Sequence, residues 1–393
     1  MANEATSHLK ARRGRLAKLL GGIDLPLLLV TLALVGYGLV VVYSASLSIS
    51  EASLPRQAVG VLIGLVLLAL VARFDYRRLA DKVKVLFVID CILMVLPIIP
   101  GLSYESHGIT GWIKVPFINL TLQTAELAKP ITVLMMAALA SRYEGRVTSL
   151  RAYLRLCGVL LVPFLLILLQ PDLGTGLVIL VAGAVVIIMA GPKRSWVLAT
   201  IAIIVALVAA VLVSDSIVDS LVGDEHSLIK DYQMNRLLVF VNPTADTSGS
   251  GYNLQQALIA VGSGGAFGKG IGGATQASLG FLPEAHTDFV FALLSEEFGF
   301  VGSSLLVALF LALILLTLRV ANRCESLFGK LVCLGIAATW AFQIFENIGM
   351  CLSLMPITGI PLPFISYGSS SMVAQLMCVG IVQSVETHRV KAG

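Results

Sequence analysis

Apolar residues recur in ten long stretches, at about 24–46, 55–72, 83–100, 124–141, 152–169, 174–191, 195–214, 287–318, 329–353 and 366–386. Each is close to the ~20 residues that carry an α-helix across a bilayer core. The pattern predicts an all-α polytopic membrane protein with about ten transmembrane helices. Polar residues collect in the connections, most of them short. Residues 215–286 instead form one large loop between the seventh and eighth stretches, and loops of that length are usually functional or disordered. Within it "DYQMNRLLVFVNP" and "NLQQALIAVGSGG" mix polar and apolar positions as short amphipathic helices on a surface do. Two further connections are rich in Gly, Pro and aromatic residues. One, 101–123, contains "HGITGWIKVPFINL" and reads as a re-entrant or interfacial hairpin; the other is "MPITGIPLPFISYGSSS" at 355–371. Irregular backbone near a membrane is tolerated where it lines a cavity or is buried in protein, so the three segments are expected to wall one outward-facing cavity. No convincing internal repeat is visible, which weakens an inverted-repeat transporter reading.

Composition agrees with a membrane protein and excludes a soluble domain: 57% of the residues are hydrophobic and 13% charged, with a mean hydropathy of +0.93. Lys and Arg set the orientation, because cytoplasmic loops retain them. With the N-terminus inside, all but six of the 27 basic residues fall in inner segments; the six are Arg56, Lys114, Lys129, Lys230, Arg236 and Lys269. Both termini are therefore expected in the cytoplasm. The chain divides into a basic N-terminus (1–23), helices one to seven (24–214), the large extracellular loop (215–286), helices eight to ten (287–386) and a short C-terminus (387–393). The net charge of +4 is accounted for by the inner segments and gives no reason to invoke nucleic acid. No removable signal peptide is evident at the N-terminus. The six cysteines lie in or beside the apolar stretches and suggest neither a disulfide framework nor metal-ligand spacing.

Several ionisable residues stand where a membrane makes them costly. "FLPEAHTDFVFALLSEEFG" (281–299) carries Glu284, His286, Asp288, Glu296 and Glu297. Pro283 ends the loop, Thr287 is placed as an N-cap, and Asp288 falls in the first helical turn, where the helix dipole favours an anion. Glu296 and Glu297 would then lie roughly 12–14 Å deeper at 1.5 Å per residue. Two readings stand side by side. In one, Asp288 caps its helix and the glutamates pair with cations to hold the bundle; in the other, they belong to a functional site, as intramembrane acids commonly do.

"AELAKP" sets Glu126 and Lys129 three residues apart on one helical face, either neutralising each other or offering the lysine to an anionic ligand. Asp172 in "QPDLGTG" is placed to cap the sixth helix. Gln343, Glu346 and Asn347 in "QIFENIGM" lie on nearly one face, a spacing that joins membrane helices by hydrogen bonds. "GSGGAFGKGIGG" (262–273) is only superficially a phosphate loop, since no strand precedes it and its GK is not followed by Ser or Thr. Its amides beside Lys269 could still meet a phosphate. Carboxylates and exceptional cations gathered on the outer side suit a lipid-linked anionic substrate better than a simple ion path.

The strings "FLPEAHTDFVFALLSEEFGFVG", "GSGYNLQQALIAVGSGGAFGKGIGGATQ", "QPDLGTG", "ELAKP" and "NIGMCLSLMPITGIPLPFISYG" closely resemble the SEDS family (shape, elongation, division and sporulation), in order from about Tyr43 to the C-terminus. "GSGGAFGKG", "TQASLGFLPE" and "PLPFISYG" are more similar to its RodA branch than to its FtsW branch. Two departures are Ser369, where the family usually has a second Gly, and Thr124-Ala125, where Pro-Ser is common; neither removes an ionisable group. The resemblance implies a peptidoglycan glycosyltransferase of the bacterial cytoplasmic (inner) membrane. It would polymerise lipid II on the outer face during elongation, by an inverting displacement that needs a base for the attacking hydroxyl and positive charge for the leaving pyrophosphate.

Asp288 matches the family's essential aspartate and would be the general base. Glu284 and His286 would position it or a divalent cation (Mg²⁺ or Mn²⁺); no other cofactor is implied. Arg56, Lys114, Lys129, Arg236 and Lys269 are candidates for the pyrophosphate, with Glu126 beside Lys129. Trp112 resembles an important family position, though an interfacial anchor would also be aromatic. Asp172, Glu296, Glu297 and Glu346 would be supporting residues. The partners implied are lipid II, the bilayer and a class B penicillin-binding protein. Rival readings are a lipid II flippase, a division polymerase like FtsW, and a non-enzymatic activator of the transpeptidase.

Overall fold

The computed structural model describes residues 22–99, 103–106, 109–115, 120–222, 239–240 and 249–389. Lys230, Arg236 and most of "DYQMNRLLVFVNP" lie outside these. Each of the ten apolar stretches coincides with a helix: α1 (Leu25–Ala45), α2 (Leu54–Arg73), α3 (Val83–Val95), α4 (Thr124–Ser141), α5 (Leu150–Leu168), α6 (Leu173–Met189), α7 (Arg194–Val222), α10 (Val290–Arg323), α11 (Leu327–Cys351) and α12 (Ser369–Thr387). The large loop contributes α8 (Ser250–Ser263) and the single turn α9 (Thr275–Ser278). Among the described residues six helices, α1, α2, α4, α5, α10 and α11, are long and apolar enough to cross a membrane.

The least hydrophobic of those six, α4, is also the most buried. That inversion is expected where lipid is the solvent: polar side chains are affordable only facing protein, so the helix carrying Glu126, Lys129 and Thr132 becomes the centre, and the greasier α1, α2 and α5 face outward. Around α4 pack α3, α6, α11 and α12, while α12 also runs along α2, and α10 packs on α1, α8 and α11.

Two features depart from the sequence reading. Within 101–123 the described residues form a small three-stranded antiparallel sheet, more than a hairpin, beside a fold that is otherwise mostly helical. Its strands β1 (Ser103–Ser106), β2 (Ile109–Val115) and β3 (Leu120–Gln123) lie in that order, with Trp112 opposite Gln123. β3 runs straight into α4. Secondly, the eighth stretch is not one helix. Gly299, at φ 63° and ψ −162°, breaks α10 into a short N-terminal piece and a long C-terminal one.

The glycine-rich string fills that break. The carbonyls freed at Glu296 and Glu297 accept from the amides of Lys269 (3.0 Å) and Gly270 (2.9 Å), and the orphan amides of Phe300 and Val301 donate to Gly265 (2.9 Å) and Ala266 (3.0 Å). A break in a membrane helix leaves polar backbone that lipid cannot satisfy; here a loop of the same chain satisfies it. The approach is backbone to backbone. A Cβ on Gly264 would lie 2.0 Å from the Ser295 carbonyl oxygen, and one on Gly268 2.1 Å from that of Glu297.

Candidate active site

The turn before α10 carries the first group of site residues. Glu284 adopts φ 53°, a left-handed conformation costly for a side chain with a Cβ, and its carbonyl accepts from the amides of Thr287 (3.2 Å), Asp288 (3.1 Å) and Phe289 (3.1 Å). The Thr287 hydroxyl donates to the Glu284 carboxylate at 2.7 Å. The helix starts only at Val290, with Phe289 at its N-cap and no side-chain cap bond. Thr287 is therefore not the cap, and Asp288 is held one step before the first turn. The half-buried Asp288 carboxylate instead abuts Gly359, where a Cβ would come within 3.1 Å of Oδ2. Gly359 has φ 75°, so glycine serves there twice, for the turn and for the close approach.

The 355–371 segment wraps this turn. The Tyr367 amide donates to the His286 carbonyl (2.9 Å), the Ser366 hydroxyl to that of Thr287 (2.6 Å), and the His286 and Tyr367 rings lie 5.5 Å apart. From beneath, the Asn347 side-chain amide donates to the carbonyls of Asp288 and Ile360, both at 2.8 Å. The Thr358 hydroxyl donates to the Glu346 carboxylate. Asn347→Leu removes the donor of both hydrogen bonds, which costs about 2 kcal/mol. We expect a lower unfolding midpoint and about a tenfold loss of activity, read by thermal unfolding and turnover on the same preparation.

The start of α2 and the end of the 101–123 connection join here. Gly368 donates its amide to the buried Gln57 side chain (3.0 Å), Ser369 donates to the Arg56 carbonyl (3.0 Å), and Ser370 donates to the Thr121 carbonyl (3.2 Å) and accepts from the Gln123 amide (3.1 Å). Ser369, the departure from the family pattern, is thus a tie between α12 and the start of α2. Arg56 itself is exposed, and Trp112 is half-buried in β2. Lys114 pairs through its backbone with Thr121.

A second group lies on the far side of the 358–360 loop. Asp172 caps α6, accepting from the Thr175 amide at 2.9 Å. A Cβ on Gly174, in the first turn of α6, would meet the Thr358 carbonyl oxygen at 3.0 Å. Burial raises the Asp172 carboxyl above the usual carboxylate range; the Thr175 amide and the Lys129 charge pull it back, and Glu126 pushes it up. Lys129 donates to Glu126 at 2.5 Å, with side chains 3% and 1% exposed. The 358–360 loop thus meets Asp288 and Glu346 on one side and the head of α6, capped by Asp172, on the other, and the Glu126–Lys129 pair lies close enough to Asp172 to act on its charge.

Glu296 and Glu297 belong elsewhere. Glu296, fully buried, accepts from Lys269 Nζ (2.5 Å), the Thr275 amide (2.9 Å) and hydroxyl (2.7 Å), and the Gln276 amide (3.2 Å). Glu297 accepts from the Ser44 hydroxyl and the Gly272 amide (3.2 Å). These acids hold the glycine-rich loop, and Lys269 and several of its neighbouring amides are engaged in doing so. Gly359, Ser366 and Tyr367 were not singled out from the sequence, although the Pro and Gly density of their segment marked it as irregular. No three His, Cys, Asp or Glu side chains among the described residues gather as a metal-binding set, and Glu284 turns its carboxylate to Thr287. The described residues thus build no cradle for a divalent cation.

Apolar-faced helices around a polar centre, with carboxylates and a buried lysine beneath the wrapped 355–371 segment, define a multi-pass membrane protein with an internal polar site. The family model FTSW_RODA_SPOVE, described as cell cycle protein, matches residues 25–391, and the chain belongs to this family. It is 36% identical to stage V sporulation protein E of Bacillus subtilis, covering 93% of this chain and 97% of the relative. It is 34% identical to peptidoglycan glycosyltransferase MrdB of Escherichia coli, covering 93% and 94%. Among solved structures it resembles a chain of a peptidoglycan synthase complex that coordinates polymerization and crosslinking, at 31% identity and a TM-score of 0.74 over 93% of this chain and 97% of that one. The rod shape determining protein RodA of Thermus thermophilus follows at 28% and 0.67 over 94% and 98%.

Proposed function

We propose that this chain is a peptidoglycan glycosyltransferase that polymerises lipid II at the outer face of the bacterial inner membrane, with Asp288 as general base. Relatives named as peptidoglycan glycosyltransferases match almost end to end. The observation that carries the site assignment is the placement of Asp288: outside the helix, half-buried, and against Gly359, on a loop whose other side meets the helix that Asp172 caps. The distribution of Lys and Arg supports the orientation, with this site outside and both termini in the cytoplasm.

In the reaction the 4-hydroxyl of the acceptor sugar attacks the anomeric carbon of the donor. The new C–O bond forms on one face as the bond to pyrophosphate breaks on the other, inverting that carbon. Asp288 takes the hydroxyl proton. Of the three N–H donors of Lys129, one is given to Glu126; the others are available to the leaving pyrophosphate. Glu126 fixes the lysine in place while taking only one of its donors.

The glycine-rich loop contributes rigidity, through Glu296 and Thr275, to the segment that ends in the Asp288 turn. The resemblance to a chain of a polymerising and crosslinking complex supports a class B penicillin-binding protein as partner. Purified protein given labelled lipid II in detergent, with moenomycin to silence classical glycosyltransferases, is expected to yield glycan polymer. A flippase or a scaffold would yield none, because detergent leaves no membrane to cross.

A further inference from the structure

Asp90 is an acid that the reaction above does not use. It lies mid-helix in α3, fully buried, and its Oδ1 has no hydrogen-bond partner among the described residues. Oδ2 accepts from the Thr132 hydroxyl at 2.8 Å, and that hydroxyl also lies 3.1 Å from the Ala128 carbonyl of its own helix. Thr132 stands in α4 one turn beyond Lys129, and Pro130 lies between them. Proline removes an N–H from the helix ladder and loosens it locally, so α4 needs an outside hold just where it presents Lys129. α3 supplies a second hold one turn further on, where the Met94 carbonyl accepts from the Gln170 side chain, two residues before Asp172. One helix thus grips both elements that carry the buried cluster. Apolar packing alone would not need a carboxyl there, and a carboxyl inside a membrane bundle is costly unless it does something.

We propose that Asp90, through Thr132, is a positioning residue that sets the depth and rotation of α4 and so places Lys129 for the substrate pyrophosphate. This rests on the glycosyltransferase reading. Pyrophosphate is anionic before and during the reaction, so a displaced lysine weakens binding in both states and raises KM more than it lowers kcat. An ångström of misplacement is enough for a large loss.

The test is lipid II polymerisation kinetics, with thermal unfolding, for wild type, Asp90→Leu, Thr132→Val and Asp90→Asn. The expected result is a KM raised about tenfold in the first two, with kcat within about threefold. Asp90→Asn is expected within about twofold of wild type, because its amide oxygen accepts the same hydrogen bond. If Asp90→Leu loses the fold, Thr132→Val, which removes only the hydroxyl, decides the outcome. A wild-type KM in that variant overturns the inference while the enzyme reading stands, as does a fall confined to kcat or an Asp90→Asn no better than Asp90→Leu. No polymer from wild type overturns the reading beneath it, and the inference with it.

Discussion

Asp288→Asn is expected to lower kcat by about 10²–10⁴, the usual contribution of a positioned general base, while leaving the unfolding midpoint where it was. The two halves of that expectation come from separate facts. The turn around Asp288 is held by backbone groups, its own amide on the Glu284 carbonyl and its own carbonyl under Asn347, and neither depends on the side chain's charge. Nor does the side chain cap α10, since the N-cap is Phe289 without a side-chain bond; a helix-cap role would instead predict a stability loss of ~1 kcal/mol on replacement. Asparagine keeps the shape against Gly359 and removes the basicity. The check is turnover and thermal unfolding on the same preparation. A variant that unfolds earlier but still polymerises would return Asp288 to a structural role.

The second large effect concerns the clip between the glycine-rich loop and the broken helix. Gly268→Ala and Gly299→Ala are each expected to cost about 3 kcal/mol or more, with loss of polymerisation to match. At both positions φ is positive, 79° and 63°, and a Cβ would meet backbone, 2.1 Å from the Glu297 carbonyl oxygen and 2.3 Å from the Gly268 nitrogen. Backbone cannot swing aside as a side chain can. Gly262, in the same string, has nothing within 4 Å of a Cβ and no positive φ, so Gly262→Ala should be neutral or slightly stabilising, as expected for alanine in a helix. Unfolding midpoints for the three variants separate a packed clip from a loose loop: equal midpoints would contradict the clip.

The contrast shows what a sequence can and cannot disclose. Hydropathy located the ten helices of the apolar stretches because lipid imposes a length and a composition on segments that cross it. Motif spacing located Asp288, the Glu126–Lys129 pair and Asp172, because unusual charges in apolar surroundings are conspicuous. The break at Gly299 was hidden, since glycine is common in membrane helices and the stretch on either side stays apolar; the acids at 296 and 297 immediately before it were the signal. The strands of 103–123 are too short for alternation to outweigh their glycines and prolines. Asp90 was hidden by the greasy run "VLFVIDCILMV", in which one acid barely moves the average. Gly359 could not be found locally, because its role is a contact with a residue 71 positions away in the chain.

The most direct test of where the chemistry occurs is an experimental structure of Asp288→Asn with lipid II bound, the substitution serving to hold the substrate unreacted. The account predicts a sugar hydroxyl within hydrogen-bonding distance, about 3 Å, of the side chain at position 288, and the pyrophosphate at Lys129. Lipid II seated with its sugars and pyrophosphate away from both residues would contradict it.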